Sequence, residues 1–91
     1  MEFEWDQAKS DADLVKRGLG FDFAALVFEG RTIEKIDDRR DYGEMRIKAI
    51  GEIDDEILVV IYTDRETARR IVSARLANKK ERALWLSLVN P

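Results

Sequence analysis

The run Ile57-Leu58-Val59-Val60-Ile61-Tyr62-Thr63 constrains the fold of this chain more than any other stretch. Successive residues of a strand point to opposite faces, and here both faces are apolar, so the segment must be covered on each side. The chain therefore needs a sheet with this strand near its middle and a packed layer above and below. A charged turn follows, Asp64-Arg65-Glu66-Thr67, and the chain returns as Arg69-Arg70-Ile71-Val72-Ser73-Ala74-Arg75. Upstream, Glu44-Met45-Arg46-Ile47-Lys48-Ala49-Ile50 alternates. Met45, Ile47 and Ala49 are expected to face inward, with Glu44, Arg46 and Lys48 on the other side. Gly51 to Glu56 reads as a polar turn. These three strands with short links predict an antiparallel meander. Arg31 to Ile36 adds an outer strand, and Asp37-Asp38-Arg39-Arg40-Asp41 reads as a solvated loop.

The ends of the chain supply the covering layers. Glu2-Phe3-Glu4-Trp5 alternates like a short edge strand. Asp6 can cap a helix over residues 7–17 that stops at Gly18, with Ala8, Ala12 and Val15 on one face. Asp22 is the expected cap of a second, shorter helix carrying Phe23, Leu26 and Val27 and ending at Gly30. Asn78 followed by Glu81 resembles a capping box, and the helix behind it shows Leu84, Trp85 and Leu88 on one side. The expected fold is α+β, one domain over residues 1–91: two N-terminal helices, an antiparallel meander of about four strands, and a C-terminal helix. One sheet face would hold helices, and the other carries Arg and Lys where full coverage would demand apolar residues.

Composition narrows the chemistry. The 91 residues include no cysteine and no histidine. Disulfides, thiolate metal sites and every Ser-His arrangement are excluded, along with the commonest general base. No apolar run approaches the ~18 residues of a membrane span, and the first residues are acidic, so a soluble cytoplasmic protein is expected. The net charge of −3 argues against a generic nucleic-acid binder. The charge is unevenly placed, however. Residues 1–63 hold 9 Lys/Arg against 16 Asp/Glu, whereas residues 64–91 hold 7 against 3. That asymmetry suits an anionic ligand or an oppositely charged partner at the cationic end, and equally a merely solvated surface.

The residues, in order, resemble the BrnT family of bacterial toxins. The resemblance runs through Trp5-Asp6-x-x-Lys9, Lys16-Arg17-Gly18, Phe21 and Ala25 to Val27-Phe28. It continues through Tyr42-Gly43-Glu44-x-Arg46, Gly51, Leu58-Val59-Val60-x-Tyr62-Thr63-x-Arg65 and Arg70-Ile71-Val72-Ser73-Ala74-Arg75-x-Ala77, with Glu81 beyond. No single block is decisive, but the ordered set is specific. Three departures stand out: the family's usual histidine is Arg17 here, its asparagine is Asp13, and its frequent helix tyrosine is Trp85. The resemblance implies a type II toxin–antitoxin toxin with a RelE-like ribonuclease fold, which cuts RNA and arrests translation. It also implies a small DNA-binding antitoxin similar to BrnA as partner.

Metal-free RNA cleavage uses the 2′-hydroxyl as nucleophile. Its site must accept a proton, stabilise a phosphorane and assist the leaving 5′-oxygen. Planar guanidiniums suit the second task because each can grip two phosphate oxygens. Arg46, Arg65 and Arg75 are the candidates, with convergence of all three in one pocket expected. Glu44, Tyr62 and Lys9 are possible proton acceptors, with Glu44 counted among the catalytic candidates although a structural salt bridge suits it better. Lys9, Lys16, Arg17 and Ser73 are candidates for RNA contact. Each has an ordinary reading beside the functional one. Arg46 and Glu44 could form a surface ion pair, Arg65 could serve turn solubility, and Tyr62 could be core. The aromatics Trp5, Phe21, Phe23, Phe28 and Trp85 fit core packing better than base stacking. Asp37-Asp38-Asp41 and Asp54-Asp55-Glu56 lack calcium-loop spacing, so no metal or cofactor is expected. A second function remains open: an inactive BrnT-like binding module acting through its antitoxin as co-repressor. Under the toxin reading, a partner rich in Lys/Arg could dock on the acidic first two-thirds while another of its segments covers the cationic site.

Overall fold

A computed structural model describes residues 1–89. Five strands form one sheet: β1 (Phe3–Glu4), β2 (Thr32–Ile36), β3 (Ile47–Ile53), β4 (Glu56–Asp64) and β5 (Arg69–Leu76), in spatial order β1-β5-β4-β3-β2. The last four make the expected antiparallel meander. The sheet is nevertheless mixed, because β1 joins β5 in parallel through Phe3 and Glu4. β4 is central, and Ile57 through Thr63 are all buried.

The two faces of β4 feed two separate cores. Leu58 and Val60 join Phe21, Ala24, Val27, Ile71 and Ala74 beneath the N-terminal elements. Val59 and Ile61 join Ile50, Ile57, Ala77 and Trp85 beneath α3 (Lys79–Val89). The register shifts between Ile61 and Tyr62, whose partners are Ser73 and Ile71, leaving Val72 as an extra residue on β5. A bulge of this kind breaks the two-residue alternation. It lets Ile71 and Ala74, three apart, face the same core, and it turns Ser73 and Arg75 toward the opposite face.

The N-terminal layer departs from the sequence reading. α1 (Gln7–Arg17) has the expected Asp6 cap and a left-handed Gly18 at φ 70°. Its predicted apolar face is on the outside, with Val15 88% exposed. The helix docks instead through Ser10, whose hydroxyl accepts from the Phe21 amide at 2.9 Å, and through basic side chains. The Lys9 ammonium donates to the Val72 carbonyl, and Arg17 donates to the Ala74 carbonyl at 3.1 Å. Both acceptors belong to β5 beyond its short pairing with β1, so α1 covers an edge that would otherwise be open. The second helix is a single turn, α2 (Phe21–Ala24), followed by a 3-10 segment from Ala25 to Glu29. Its cap is Gly20, not Asp22, which lies in the first turn.

Two further boundaries move. β3 begins at Ile47, so Met45 is 65% exposed and not inward. β3 also runs through Gly51 to Ile53, and the turn shrinks to Asp54 and Asp55, with φ of 49° and 70°. That is the left-handed pair a two-residue hairpin needs. Gly51 lies under the 3-10 segment, where a Cβ would come within 2.9 Å of the Val27 Cβ.

Candidate nucleic-acid interface

α3 covers only one end of the second sheet face. Its Asn78 and Glu81 form the reciprocal capping box at 2.8 Å each way, and the Trp85 indole donates to Glu52 at 2.8 Å. Beyond the helix the face is open, and strand pairing fixes what lies on it. One row across the sheet reads Lys35, Lys48, Ile61, Ser73; the next reads Ile33, Ile50, Val59, Arg75. The open part is a concavity of about 320 Å³ lined by Arg17, Lys35, Arg39, Lys48, Ser73 and Arg75. The segment Ile36 to Arg39 forms one wall.

Glu81 organises the floor. It accepts two hydrogen bonds from the Arg75 guanidinium, at 2.7 and 2.9 Å, and one ion pair from Lys48 at 2.7 Å. These partners and the Asn78 amide hold its carboxyl well below the usual carboxylate range, against the opposing effect of burial. Arg75 is correspondingly pushed up, first by its hydrogen bonds to Glu81. On the wall, Asp37 takes Arg39 in the same two-point grip, at 2.7 and 2.9 Å. The Arg39 bonds hold Asp37 low as well. Asp37 is 7% exposed, so it is not the solvated turn carboxylate the sequence suggests. Glu81 has all its acceptor positions filled and Asp37 is held low by Arg39, so both are poor proton acceptors.

The arrangement carries excess positive charge at a cost. Lys35 and Lys48 are direct cross-strand partners, a placement that is destabilising for like charges. Lys35 has no ion-pair partner among the described residues. The Arg39 charge also acts on Arg75, opposing its protonation. Cations gathered this way give the cleft a positive potential.

The three arginines named from sequence do not converge in this cleft. Arg75 lines it, whereas Arg46 and Arg65 belong to a second cluster around Glu44. Arg46 bonds Glu44 at 3.1 Å and stacks on Tyr42 with 4.1 Å to the ring centre; Arg65 approaches the same carboxylate at 3.9 Å. By register Arg46 lies level with Thr63 and Arg75 with Val59. Four residues of strand separate the two levels by ~13 Å, with two strand spacings of ~5 Å across. Parity within each strand placed Arg46 and Arg75 on charged faces, but it carries no information about offset between strands. The Asp37 amide donates to the Arg46 carbonyl at 2.8 Å, so the Glu44 cluster borders the cleft without entering it.

The other candidates sort as follows. Ser73 is on the cleft floor, and Arg17 reaches its rim while clamping β5. Lys9 is engaged with the β5 backbone, and Lys16 is exposed on α1 away from the cleft lining. Tyr62 is buried edge-on against Phe28; its hydroxyl donates to Glu34 at 2.5 Å, and burial pushes its pKa up, removing it as a proton acceptor. Sequence reading missed Lys35, Lys48 and Arg39 as site residues. The outward Lys48 beside Arg46 was visible, but only the pairing of β2 with β3 sets Lys35 next to it. No group of three or more potential carboxylate ligands gathers among the described residues. Among the same residues no helix is long and apolar enough to cross a membrane.

A family model described as the ribonuclease toxin BrnT of type II toxin–antitoxin systems matches residues 5–81. No curated protein matches the chain.

Proposed function

Because the chain belongs to the BrnT family of type II toxin–antitoxin ribonuclease toxins, we propose that it cuts RNA without a metal ion, seating the scissile phosphate in the cleft between Lys48, Ser73 and Arg75. The observation that carries this reading is the open, cationic half of a sheet face whose other half is covered by α3. Glu81 pre-orients Arg75 and Lys48, so the donors need no rearrangement as charge develops on the phosphorane. The 2′-oxygen bonds to phosphorus, its proton passes to water, and the bond to the 5′-oxygen breaks as that oxygen takes a proton. A 2′,3′-cyclic phosphate and a 5′-hydroxyl end result. Catalysis here rests on positioning and charge stabilisation, because the cleft's buried carboxylates are already committed to cations. The cellular consequence is arrest of translation, relieved by a BrnA-like, DNA-binding antitoxin.

One observation favours a second reading. Arg17, which stands where the family usually has a histidine, is engaged as a backbone clamp on β5. A chain that has lost proton transfer would keep the fold and the antitoxin contact as a non-catalytic co-repressor. Purified protein incubated with RNA in excess chelator separates the two. The nuclease reading predicts cyclic-phosphate ends that fade with Arg75→Ala, while intact RNA under all conditions establishes the co-repressor.

A further inference from the structure

Beside the cationic cleft lies a second concavity, of about 360 Å³, between α3 and the outer strand β2. Its apolar surface comes from Ile33, Ile50 and Leu84, and its rim carries Lys35, Lys48 and Lys80 against Glu81 and Glu34, the latter's carboxylate being taken up by the Thr32 and Tyr62 hydroxyls. The two hollows share Lys35 and Lys48. Lys80 and Leu84 sit four residues apart, on one face of α3. β2 is a sheet edge, paired only with β3. Lys35 and Lys80 have no ion-pair partner among the described residues, and the one buried acid at the rim, Glu81, is saturated by Lys48 and Arg75.

Taken together, the geometry points to a docking site for an extended, acidic–apolar segment of the antitoxin partner, laid along the β2 edge. This rests on the toxin reading above. The open edge offers backbone hydrogen bonds to an added strand, and alternate side chains of that strand would face the hollow. One apolar side chain fills the space among Ile33, Ile50 and Leu84, and neighbouring carboxylates meet Lys35 and Lys80. Charge complementarity selects this occupant: three lysines around an aliphatic floor match acids flanking an apolar anchor. A nucleobase fits less well, since the hollow has no aromatic surface to stack on. Because Lys35 and Lys48 belong to both hollows, the seated segment would consume the cations that hold RNA and so switch the site off.

The test uses the full chain with the antitoxin of its own toxin–antitoxin pair. Leu84→Arg plugs the hollow, and Lys80→Glu reverses its outer rim; both positions lie outside the cationic cleft. The expected results are at least tenfold weaker antitoxin binding for each variant and slowed amide exchange across residues 32–36 in the wild-type complex. Polyuridylate binding should be unchanged in both variants. Wild-type antitoxin affinity in both variants, with unaltered exchange in β2, would overturn the proposal while leaving the RNA cleft standing. Loss of polyuridylate binding in Leu84→Arg would overturn it too, by assigning the hollow to RNA. A loss of antitoxin affinity that is matched by control Lys79→Glu would count against it as a non-specific charge effect.

Discussion

Glu81 shows how one side chain can serve a helix and a binding surface together. It closes the capping box of α3 and anchors two cations of the cleft from a position only 7% exposed. Its cations Arg75 and Lys48 remain 42% and 27% exposed, so losing Glu81 costs less than breaking a fully buried pair, about 1–3 kcal/mol, and Glu81→Ala should unfold at lower denaturant. The pH dependence follows from the depressed carboxyl. Its folded value lies below the ordinary value of 4.5, so the stability it contributes is present above that pH and is lost as pH falls below it. Acid unfolding curves should therefore show a steeper loss below about pH 4.5 in wild type than in Glu81→Gln. Gly51 makes a steric prediction at the same scale. The close approach of the Val27 side chain means Gly51→Ala should destabilise by about 1–3 kcal/mol in chemical denaturation.

The elements themselves were read from sequence with uneven success, for physical reasons. β4, the meander and the capping box of α3 were legible because each rests on local pattern: continuous apolar residues, alternation, and a polar pair three residues apart. α1 was placed correctly but turned the wrong way, because its docking depends on Ser10, Lys9 and Arg17 and not on an apolar stripe. The bulge at Val72 has no composition signal, since Val72 would suit a regular strand equally well. The edge-clamp role of Arg17 predicts that Arg17→Met, which keeps the aliphatic stem, lowers stability by about 1 kcal/mol. In the β3–β4 hairpin, Asp55 holds φ at 70°. Asp55→Gly relieves a left-handed cost of ~1 kcal/mol, partly offset by the greater unfolded-state freedom of glycine, for a net gain of about 0.5 kcal/mol in thermal unfolding.

For the molecule as a whole, the candidate site was half visible beforehand. Arg75, Ser73 and Arg17 were named, and the cationic C-terminal portion of an acidic chain pointed to the same part of the sheet. Lys35, Lys48 and Arg39 enter only through the sheet register and the wall after β2, both long-range consequences of folding. Conversely, Arg46, Arg65 and Glu44 form their own cluster, which borders the cleft without lining it. The structure thus divides one expected pocket into two neighbouring charged regions, and the proposed RNA site is the one that Glu81 organises. Parallel measurement of RNA cleavage in excess chelator by Lys35→Ala, Arg75→Ala and Arg65→Ala, each checked for folding by circular dichroism, tests that assignment most directly. The expected results are a loss of about a hundredfold for Arg75→Ala, a clear decrease for Lys35→Ala and a small effect for Arg65→Ala. Wild-type cleavage by the Lys35 and Arg75 variants, with activity abolished in Arg65→Ala, would contradict that assignment.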